Sequence, residues 1–226
     1  MAHILKGIVV ARSRKNHGFC VVVFDIEKKN FYRLVSENDD RIDRELSKEE
    51  CCYDDGTLIE LKDIIEIRVK SFERVRDLVQ SENIFIEPNA RFKLIKKKIP
   101  YKEMMNYIEN NLCKDINIFN NTSPTLTPVE AKYQKKSFVI VQVTNLSFYK
   151  VYNEEKQDYK FYCDFRYNNN YYHNMRVTIS ESKEEDIMKY DEKTYLKATL
   201  GISFGHVYQK TNLHYKFVCA FLGGFK

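Results

Sequence analysis

The stretch DYKFYCDFRYNNNYYHNMRVTI, residues 158–179, contains the pattern that decides the fold. Apolar and polar side chains alternate along both of its halves, which is the period of a β-strand with one face in a core. The asparagines at 168–170 separate the halves, and asparagine tolerates the left-handed backbone of a tight turn. The stretch therefore predicts an antiparallel hairpin with strands at 159–167 and 171–179.

The alternation assigns a face to each side chain of this hairpin. The core-facing set is largely apolar: Tyr159, Phe161, Cys163, Phe165, Tyr171, His173, Met175, Val177 and Ile179. The opposite face would expose cations and aromatic rings to solvent: Lys160, Tyr162, Arg166, Tyr172, Asn174 and Arg176. Aromatic rings stack on bases, and Arg and Lys bind phosphates, so this is a candidate nucleic-acid-binding face. The alternative is a solvated hairpin with ordinary cross-strand pairs.

Similar strand patterns occur in both halves of the chain. The first half has them at 4–12, 18–26, 31–36 and 61–70, with shorter candidates before Pro88 and Pro100. The second half has them at 137–144, 148–152, 159–167, 171–179, 195–200 and 215–222. Many short strands at this spacing are typical of small barrels or sandwiches.

Two segments separate these sets of strands. Residues 101–112 have an apolar stripe at helical spacing, which predicts a helix packed on a core. Residues 120–136 are rich in Asn, Thr, Ser and Pro, which is typical of a boundary. The sequence thus predicts a mainly β protein (β-rich α+β) with a first module at 1–100, a helix and linker at 101–136, and a second module at 137–226.

Charge and cysteine content restrict the function further. The 226 residues include 37 Lys+Arg and 32 Asp+Glu, a net charge of +5, so nucleic-acid binding would need a local patch. The six cysteines form no C-x-x-C pair, which predicts reduced thiols in a cytoplasm. No signal peptide and no apolar run of membrane-spanning length are recognised, so we expect no membrane partner.

The residue types used in catalysis form no recognisable motif. Cys20 and His17 are close in sequence, but a nucleophile and its base usually come from separate segments. The histidines of the second half, at 173, 206 and 214, lack a metal-binding spacing. The acidic groups ENDD, CCYDDG and SKEEDI are in polar, loop-like segments, and no glycine-rich phosphate loop occurs. We therefore expect a protein without a catalytic site, metal or cofactor.

Several stretches resemble the dual OB domain proteins, DuOB for short. In the first half they are IVVARSRKNHGFCVVVFD, NFYRLVS and LIELKDIIEIRV. In the second half they are FRYNNNYYHNMRVT, YLKATLGISF and HYKFVCAFL. The resemblance covers most of residues 5–222 except about 95–135. Phe31 replaces the usual Trp of the family, Leu34 the usual Pro, and Asn169 the usual Gly.

The resemblance implies two tandem OB-like β-barrels, joined by a helical and loop connection, in a prokaryotic protein that is linked by context to defence systems. The implied function is binding of single-stranded or unpaired RNA or DNA, without catalysis. On the first barrel, Arg14, Lys15 and Arg33 would then contact phosphates. Alternatively, Arg14 or Arg33 would hold the barrel mouth together through acidic side chains or carbonyls.

Three other functions are compatible with the sequence. A protein–protein adaptor or sensor subunit would use the Tyr-rich face to bind a partner, because Tyr and Arg are enriched in interface hot spots. A module that binds a nucleotide or modified base would use a closed pocket. A hydrolase would need an active site that the motifs do not identify.

Overall fold

The computed structural model describes residues 3–15, 18–37, 44–73, 79–155, 157–179 and 190–225. These residues are mainly in β-strands and divide into two compact units, Met1–Asn111 and Leu112–Lys226. Each unit contains one six-stranded sheet. Ser182 and Glu185 have the spacing of a capping box, which predicts a short helix at 182–190, but this segment lies almost entirely outside the described residues. Among those that the model describes, no helix is long and apolar enough to cross a membrane.

The sheet of the first unit closes into a barrel. Its strands are β1 (His3–Lys15), β2 (Gly18–Asp25), β3 (Asn30–Val35), β4 (Ile64–Val69), β5 (Asn83–Phe85) and β6 (Lys93–Lys96). Strand β1 pairs with both β2 and β4, and β3 pairs in parallel with β5. An antiparallel bridge between Val69 and Ile86 then joins β4 to the end of β5. The edge strand β6 pairs with β4.

The second unit repeats this pairing scheme. Its strands are β7 (Thr125–Leu126), β8 (Phe138–Asn153), β9 (Asp158–Tyr167), β10 (Asn170–Val177), β11 (Thr194–Tyr208) and β12 (Leu213–Phe225). Strand β8 pairs with β9 and β11, and the parallel pairing of β10 with β12 closes the barrel. A five-stranded closed sheet with these pairings is an OB-like barrel. The predicted fold class, mainly β with two tandem OB-like barrels, is confirmed.

Apolar side chains fill both barrels. The core cluster of the first barrel includes Leu5, Val9, Val21, Val23, Leu34, Ile65, Ile67, Ile84 and Phe92. The second barrel buries a comparable set, including Phe138, Ile140, Phe148, Phe165, Met175, Leu200, Ile202 and Val218. Burial of this apolar area is the main stabilising contribution to each barrel.

The segment between the modules divides at Asn111. Helix α1 (Tyr101–Ile108) is in the first unit and buries Met104 and Ile108, as its apolar stripe indicates. Residues 112–136, with the short helix α2 (Pro128–Lys132), are in the second unit. Each part is therefore grouped with the barrel beside it in sequence.

One strand is longer than the pattern in the sequence predicts. The predicted strands at 137–144 and 148–152 form one continuous strand, β8, because a β-bulge at Asn145 (φ 51°) inserts an extra residue without ending the pairing. Ser47 and Glu50 have the sequence spacing of a capping box, and they form one: each side chain accepts a hydrogen bond from the other residue's backbone amide.

Candidate nucleic-acid interface

From Tyr162 to Arg166, strand β9 has the two faces that its sequence indicates, whereas Tyr159, which the alternation assigns to the core, is 52% exposed near the open end of the hairpin with β8. Cys163 and Phe165 are buried on one side, whereas Tyr162, Asp164 and Arg166 are half-buried on the other. Alternation holds here because β9 is regularly paired with β8 from Ser147 onward and has no insertion of its own. The strand therefore presents its polar side chains away from the barrel core.

The prediction for the first half of β10 is wrong. Tyr172 is fully buried, whereas Tyr171 and His173, which the alternation assigns to the core, are exposed. A β-bulge between Tyr172 and Met175, with Asn174 at φ 55°, adds one residue and so reverses the faces of the residues before it. Beyond the bulge, Met175 is buried and Arg176 faces outward, as predicted.

Tyr172 has a structural role instead of an exposed binding role. Its ring stacks on Phe165 with centroids 5.2 Å apart and an interplanar angle of 11°. Its hydroxyl oxygen accepts a hydrogen bond of 2.8 Å from the backbone amide of Ile118. A fully buried ring cannot stack on a base in this conformation, so Tyr172 is removed from the candidate site.

One row of outward side chains crosses three strands. Tyr149 on β8, Tyr162 on β9 and Arg176 on β10 are register partners. The two tyrosine rings are stacked at 6.0 Å, and the Arg176 guanidinium carbon lies 5.4 Å from the centre of the Tyr162 ring. Burial lowers the pKa of Arg176 and outweighs the opposing effect of neighbouring Tyr162. The guanidinium nevertheless stays charged at neutral pH, because the ordinary pKa of arginine is far above 7.

A second row lies further along the same face. Arg166 on β9 pairs with Tyr171 on β10, and its guanidinium carbon is 3.9 Å from the centre of the Tyr171 ring. Tyr171 also stacks on His173 at 5.5 Å. We call Tyr149, Tyr162, Arg166, Tyr171 and Arg176 together the aromatic–arginine strip.

Asp164 lies between the two rows. Its carboxylate accepts hydrogen bonds from the Asn174 backbone amide (2.8 Å) and the Tyr149 hydroxyl (3.1 Å), and His173 Nδ1 lies 3.1 Å from it. Partial burial raises the pKa of Asp164, but these hydrogen bonds outweigh that effect and hold it below the ordinary value. The carboxylate thus holds the bulge of β10 against β8 and β9.

Lys160 and Arg176 are placed on the outer face as predicted. Lys160 is half-buried and lies opposite Val151 of β8, next to the row that contains Tyr162. Arg166 and Tyr162 belong to the strip itself. Asn174 is exposed as well, so five of the six residues predicted on this face are outward, and Tyr172 is the exception.

The predicted site on the first barrel is not assembled in the same way. Arg33 on β3 is only 3% exposed, and its Nη2 forms an ion pair of 3.1 Å with Glu82, which is also buried. Its Nη1 donates to the Cys20 sulfur. The predicted phosphate contact of Arg33 is therefore wrong in this conformation. The alternative interpretation is the one observed: the guanidinium binds an acidic side chain of the barrel.

The turn after β1 remains a candidate in part. Arg14 is exposed on β1 opposite Phe19. The backbone of Lys15 pairs with Gly18, but its side chain lies outside the described residues, as do Asn16 and His17. The Cys20–His17 pair considered for catalysis therefore includes one residue, His17, outside the described residues.

Other groups considered for chemistry have structural partners. His214 is buried, with its Nδ1 at 2.8 Å from the carbonyl oxygen of Gly205. His173 belongs to the Asp164 cluster. Within the described ranges, no group of three or more His, Cys, Asp or Glu side chains could hold a metal ion.

Three members of the interface were missed by the reading of the sequence. Tyr149 is outward by the alternation of β8, but its position beside Tyr162 depends on the strand register. Tyr171 and His173 are outward only because of the bulge. The one local signal that could have indicated this bulge is Asn174 in His173-Asn174-Met175, because asparagine tolerates a left-handed backbone better than most residues.

Comparison with known proteins identifies the family. The chain matches the dual OB-containing domain (DuOB) over residues 6–221. No curated protein matches it. Solved structures similar to it include the Ifi202 HINa domain in complex with 20-bp double-stranded DNA, at 14% identity and a TM-score of 0.31, covering 96% of this chain and 93% of that one. A murine DNA-binding protein bound to double-stranded DNA is similar at 10% identity and a TM-score of 0.31, covering 98% and 97% of the two chains. The match over nearly the whole length shows that the chain belongs to the dual OB-containing domain family.

Proposed function

We propose that this protein binds nucleic acid and that its second barrel holds an unpaired strand on the face formed by β9 and β10. The observation that carries the proposal is the aromatic–arginine strip, in which two guanidinium groups lie against tyrosine rings on one outward face. In OB folds the second and third strands form the usual oligonucleotide-binding face. Strands β9 and β10 occupy those positions in the second barrel.

The chemistry of the strip suits bases and phosphates together. Tyrosine rings stack on bases of any sequence, and arginine contributes both charge and stacking. Because the rings of Tyr162 and Tyr171 are already held by neighbouring side chains, little side-chain entropy remains to be lost on binding. An unpaired strand is the appropriate ligand, since bases within a duplex are already stacked on one another.

The spacing of the rows favours an oligomer over a mononucleotide. Tyr162 and Arg166 are four residues apart on an extended strand, a separation of about 13 Å. A ligand that contacts both rows must therefore extend over this distance.

The proposal assigns binding and no catalytic step to this face. The carboxylate of Asp164 and the imidazole of His173 contact each other and the strand backbone, so they support the bulge. A contribution to a prokaryotic defence system is part of the same proposal and is supported by the family resemblance alone. The proposed cytoplasmic location rests on the cysteine pattern of the sequence.

Fluorescence anisotropy tests the proposal directly. Labelled single-stranded RNA, single-stranded DNA and duplex DNA are titrated with the protein at low and moderate salt. We expect the single strands to bind more tightly than the duplex, with an affinity that falls as salt rises. Absence of binding to every oligonucleotide at low salt would contradict the proposal.

Two tyrosine variants distinguish binding by the strip from binding by the remaining surface. Tyr162→Ala should weaken single-strand binding by about tenfold or more, since loss of one stacking ring costs about 1–3 kcal/mol. The matched control is Tyr133→Ala, because Tyr133 is 77% exposed and lies outside the strip. Equal affinities for these two variants would remove the strip as the binding site.

A further inference from the structure

The first barrel carries a lysine-rich edge that the aromatic–arginine strip does not explain. Residues 93–102, KLIKKKIPYK, contain five lysines and no acidic residue. All four residues of β6 (Lys93–Lys96) are exposed, and Lys97, Lys98 and Lys102 are exposed as well. We call the lysines at 93, 96, 97, 98 and 102 the lysine edge.

The position of β6 keeps this charge accessible. Strand β6 is the last strand of the sheet and pairs along one side only, with β4. The side chains of Lys93, Lys96 and Lys98 are 72%, 52% and 57% exposed although each forms an ion pair with a glutamate. Lys97 and Lys102 form no ion pair with a carboxylate of the described residues. The lysine edge therefore keeps a net positive charge.

The backbone beside the edge holds like charges close together. Lys62 (φ 71°) and Lys98 (φ 42°) both adopt left-handed conformations that lysine disfavours. Buried Asp63 fixes this arrangement by accepting a hydrogen bond of 2.9 Å from the Lys98 amide, and the Ile99 amide donates to the Lys62 carbonyl oxygen at 3.0 Å. Burial and the charge of Lys98 lower the pKa of Lys62. Strained backbone that brings like charges together is typical of a functional site, and a bound anion would relieve the repulsion.

We propose that the lysine edge is a second binding surface, which contacts the phosphate backbone of the nucleic acid without reading its sequence. This inference rests on the proposed function, because it assumes that nucleic acid is the ligand. Lysine is a flexible point charge with no ring to stack, so it suits phosphates and not bases. The first barrel would thus add affinity through charge, whereas the second barrel adds it through stacking.

The apolar residues of β6 favour a polyanion over a lipid surface. Leu94 and Ile95 are 39% and 41% exposed. Membrane binding strengthens with the apolar area that is buried, and two partly exposed side chains supply little of it. An anionic membrane would therefore gain little here beyond charge, whereas phosphates require only the lysines.

The salt dependence of binding tests the lysine edge. The probe is a single-stranded DNA of about 30 nucleotides, longer than one OB fold usually covers. The triple variant Lys93→Gln, Lys97→Gln, Lys102→Gln should reduce the slope of log affinity against log salt by about 2, since each lost phosphate contact on a single strand contributes about 0.7. A triple Lys→Arg variant at the same positions keeps the charge and should keep the slope.

Matched controls distinguish this inference from the proposed function. Lys132→Gln, Lys136→Gln, Lys210→Gln removes the same charge from exposed positions of the second unit and should leave the slope unchanged. If the lysine-edge variant keeps the wild-type slope while Tyr162→Ala still weakens binding, the inference is overturned and the proposed function stands. If the wild type binds no oligonucleotide, the proposed function fails first.

Vesicles provide the remaining arm of the test. Wild-type protein is mixed with vesicles containing phosphatidylserine, and we expect no sedimentation with them at moderate salt. Lysine-edge-dependent binding to these vesicles, together with an unchanged slope for DNA, would assign the edge to a membrane and overturn the inference. Equal melting temperatures of wild type and variant confirm that the fold is retained.

Discussion

The second and third strands of the two barrels make a direct comparison. In the first barrel, β2 and β3 are buried on both faces, and the one arginine of β3 is bound inside to Glu82. In the second barrel, β9 and β10 bury one face and present tyrosines and arginines on the other. The strand pairing is the same, so the fold supplies the positions and the side chains decide their use.

The largest expected effect concerns the buried arginine of the first barrel. Arg33→Met removes the buried guanidinium that pairs with the carboxylate of Glu82 and should lower the free energy of unfolding by about 3–5 kcal/mol. Urea denaturation measures this loss. The matched control is Arg68→Met, because Arg68 is exposed on β4 and its replacement should change stability by less than about 0.5 kcal/mol.

The same variant can also break the comparison. If Arg33→Met keeps wild-type stability but binds nucleic acid more weakly, the β2–β3 face of the first barrel would be a binding face after all. We expect the opposite result, with the loss confined to stability.

The second barrel has a buried cation of a different kind. Lys216 on β12 is fully buried, and its Nζ donates hydrogen bonds of 2.7–2.8 Å to the Ile118 carbonyl and to two oxygens of Asn121. Lys216→Met should lower the free energy of unfolding by about 3 kcal/mol, because buried acceptors lose their donor. Urea denaturation beside Lys210→Met, at an exposed position, provides the check.

The titration of Lys216 gives a further test of its burial. Burial lowers the pKa of Lys216 to about 7 from 10.5 in the unfolded chain, although Glu130 opposes the shift. Between these values the unfolded state holds more protons than the folded state, so stability rises with pH. We therefore expect the stability of the wild type, relative to Lys216→Met, to increase from pH 7 to pH 10. A constant difference across this range would show that the folded-state pKa is not lowered.

The aromatic–arginine strip should respond in affinity and not in stability. Arg166→Met removes the guanidinium from the Tyr171 ring, and we expect about tenfold weaker single-strand binding, or about 1.4 kcal/mol. Its cost in unfolding free energy should stay below about 1 kcal/mol, the value of an exposed cation–π contact. Titrations and urea melts of Arg166→Met and Arg33→Met together make a matched pair, and equal losses of stability would contradict the contrast between the faces.

The smallest expected effect is in the corresponding hairpin turns. The turn between β2 and β3 has Lys29 at φ 52°, whereas the turn between β9 and β10 has Asn169 at φ 65°. A left-handed backbone is less favourable for lysine than for asparagine, and glycine adopts it without steric cost. Glycine also loses more conformational entropy on folding, so Lys29→Gly should raise the free energy of unfolding by only about 0.5 kcal/mol. Asn169→Gly should gain less in the same thermal melts. A larger gain at Asn169 would contradict this ranking.

Regular strands could be predicted from the sequence because alternation directly reports their faces. The faces of β9 follow from its sequence, and so does the burial of Cys163 and Phe165. Strand β10 could not be assigned in the same way, because its bulge is fixed by pairing with β9 and by the hydrogen bonds of Asp164 and Asn174. One inserted residue is enough to exchange Tyr171 and Tyr172 between the faces.

The two buried cations show where local signals end. Arg33 stands in NFYRLV with apolar neighbours on both sides, which indicates a strand buried on both faces. Lys216 stands in HYKFVCAFL, where Tyr215 and Phe217 form the apolar side of the alternation, so the pattern does not indicate that Lys216 is buried. The partners of both cations are remote in sequence, at Glu82 for Arg33 and at residues 118–121 for Lys216. The sequence pattern therefore identified neither the burial of Lys216 nor the partner of either cation.

The sequence by itself determined the class of fold, the presence of two β-rich modules and the mixture of rings and cations on the β9–β10 hairpin. These follow from local periodicity, which depends only on residues that are near one another in the chain. Tertiary structure alone decided which tyrosine faces solvent, that Arg33 is a structural residue and that Tyr149 joins the aromatic–arginine strip. Those outcomes depend on register, bulges and partners from distant segments, because pairing between strands minimises the energy of the whole barrel and not of each strand separately.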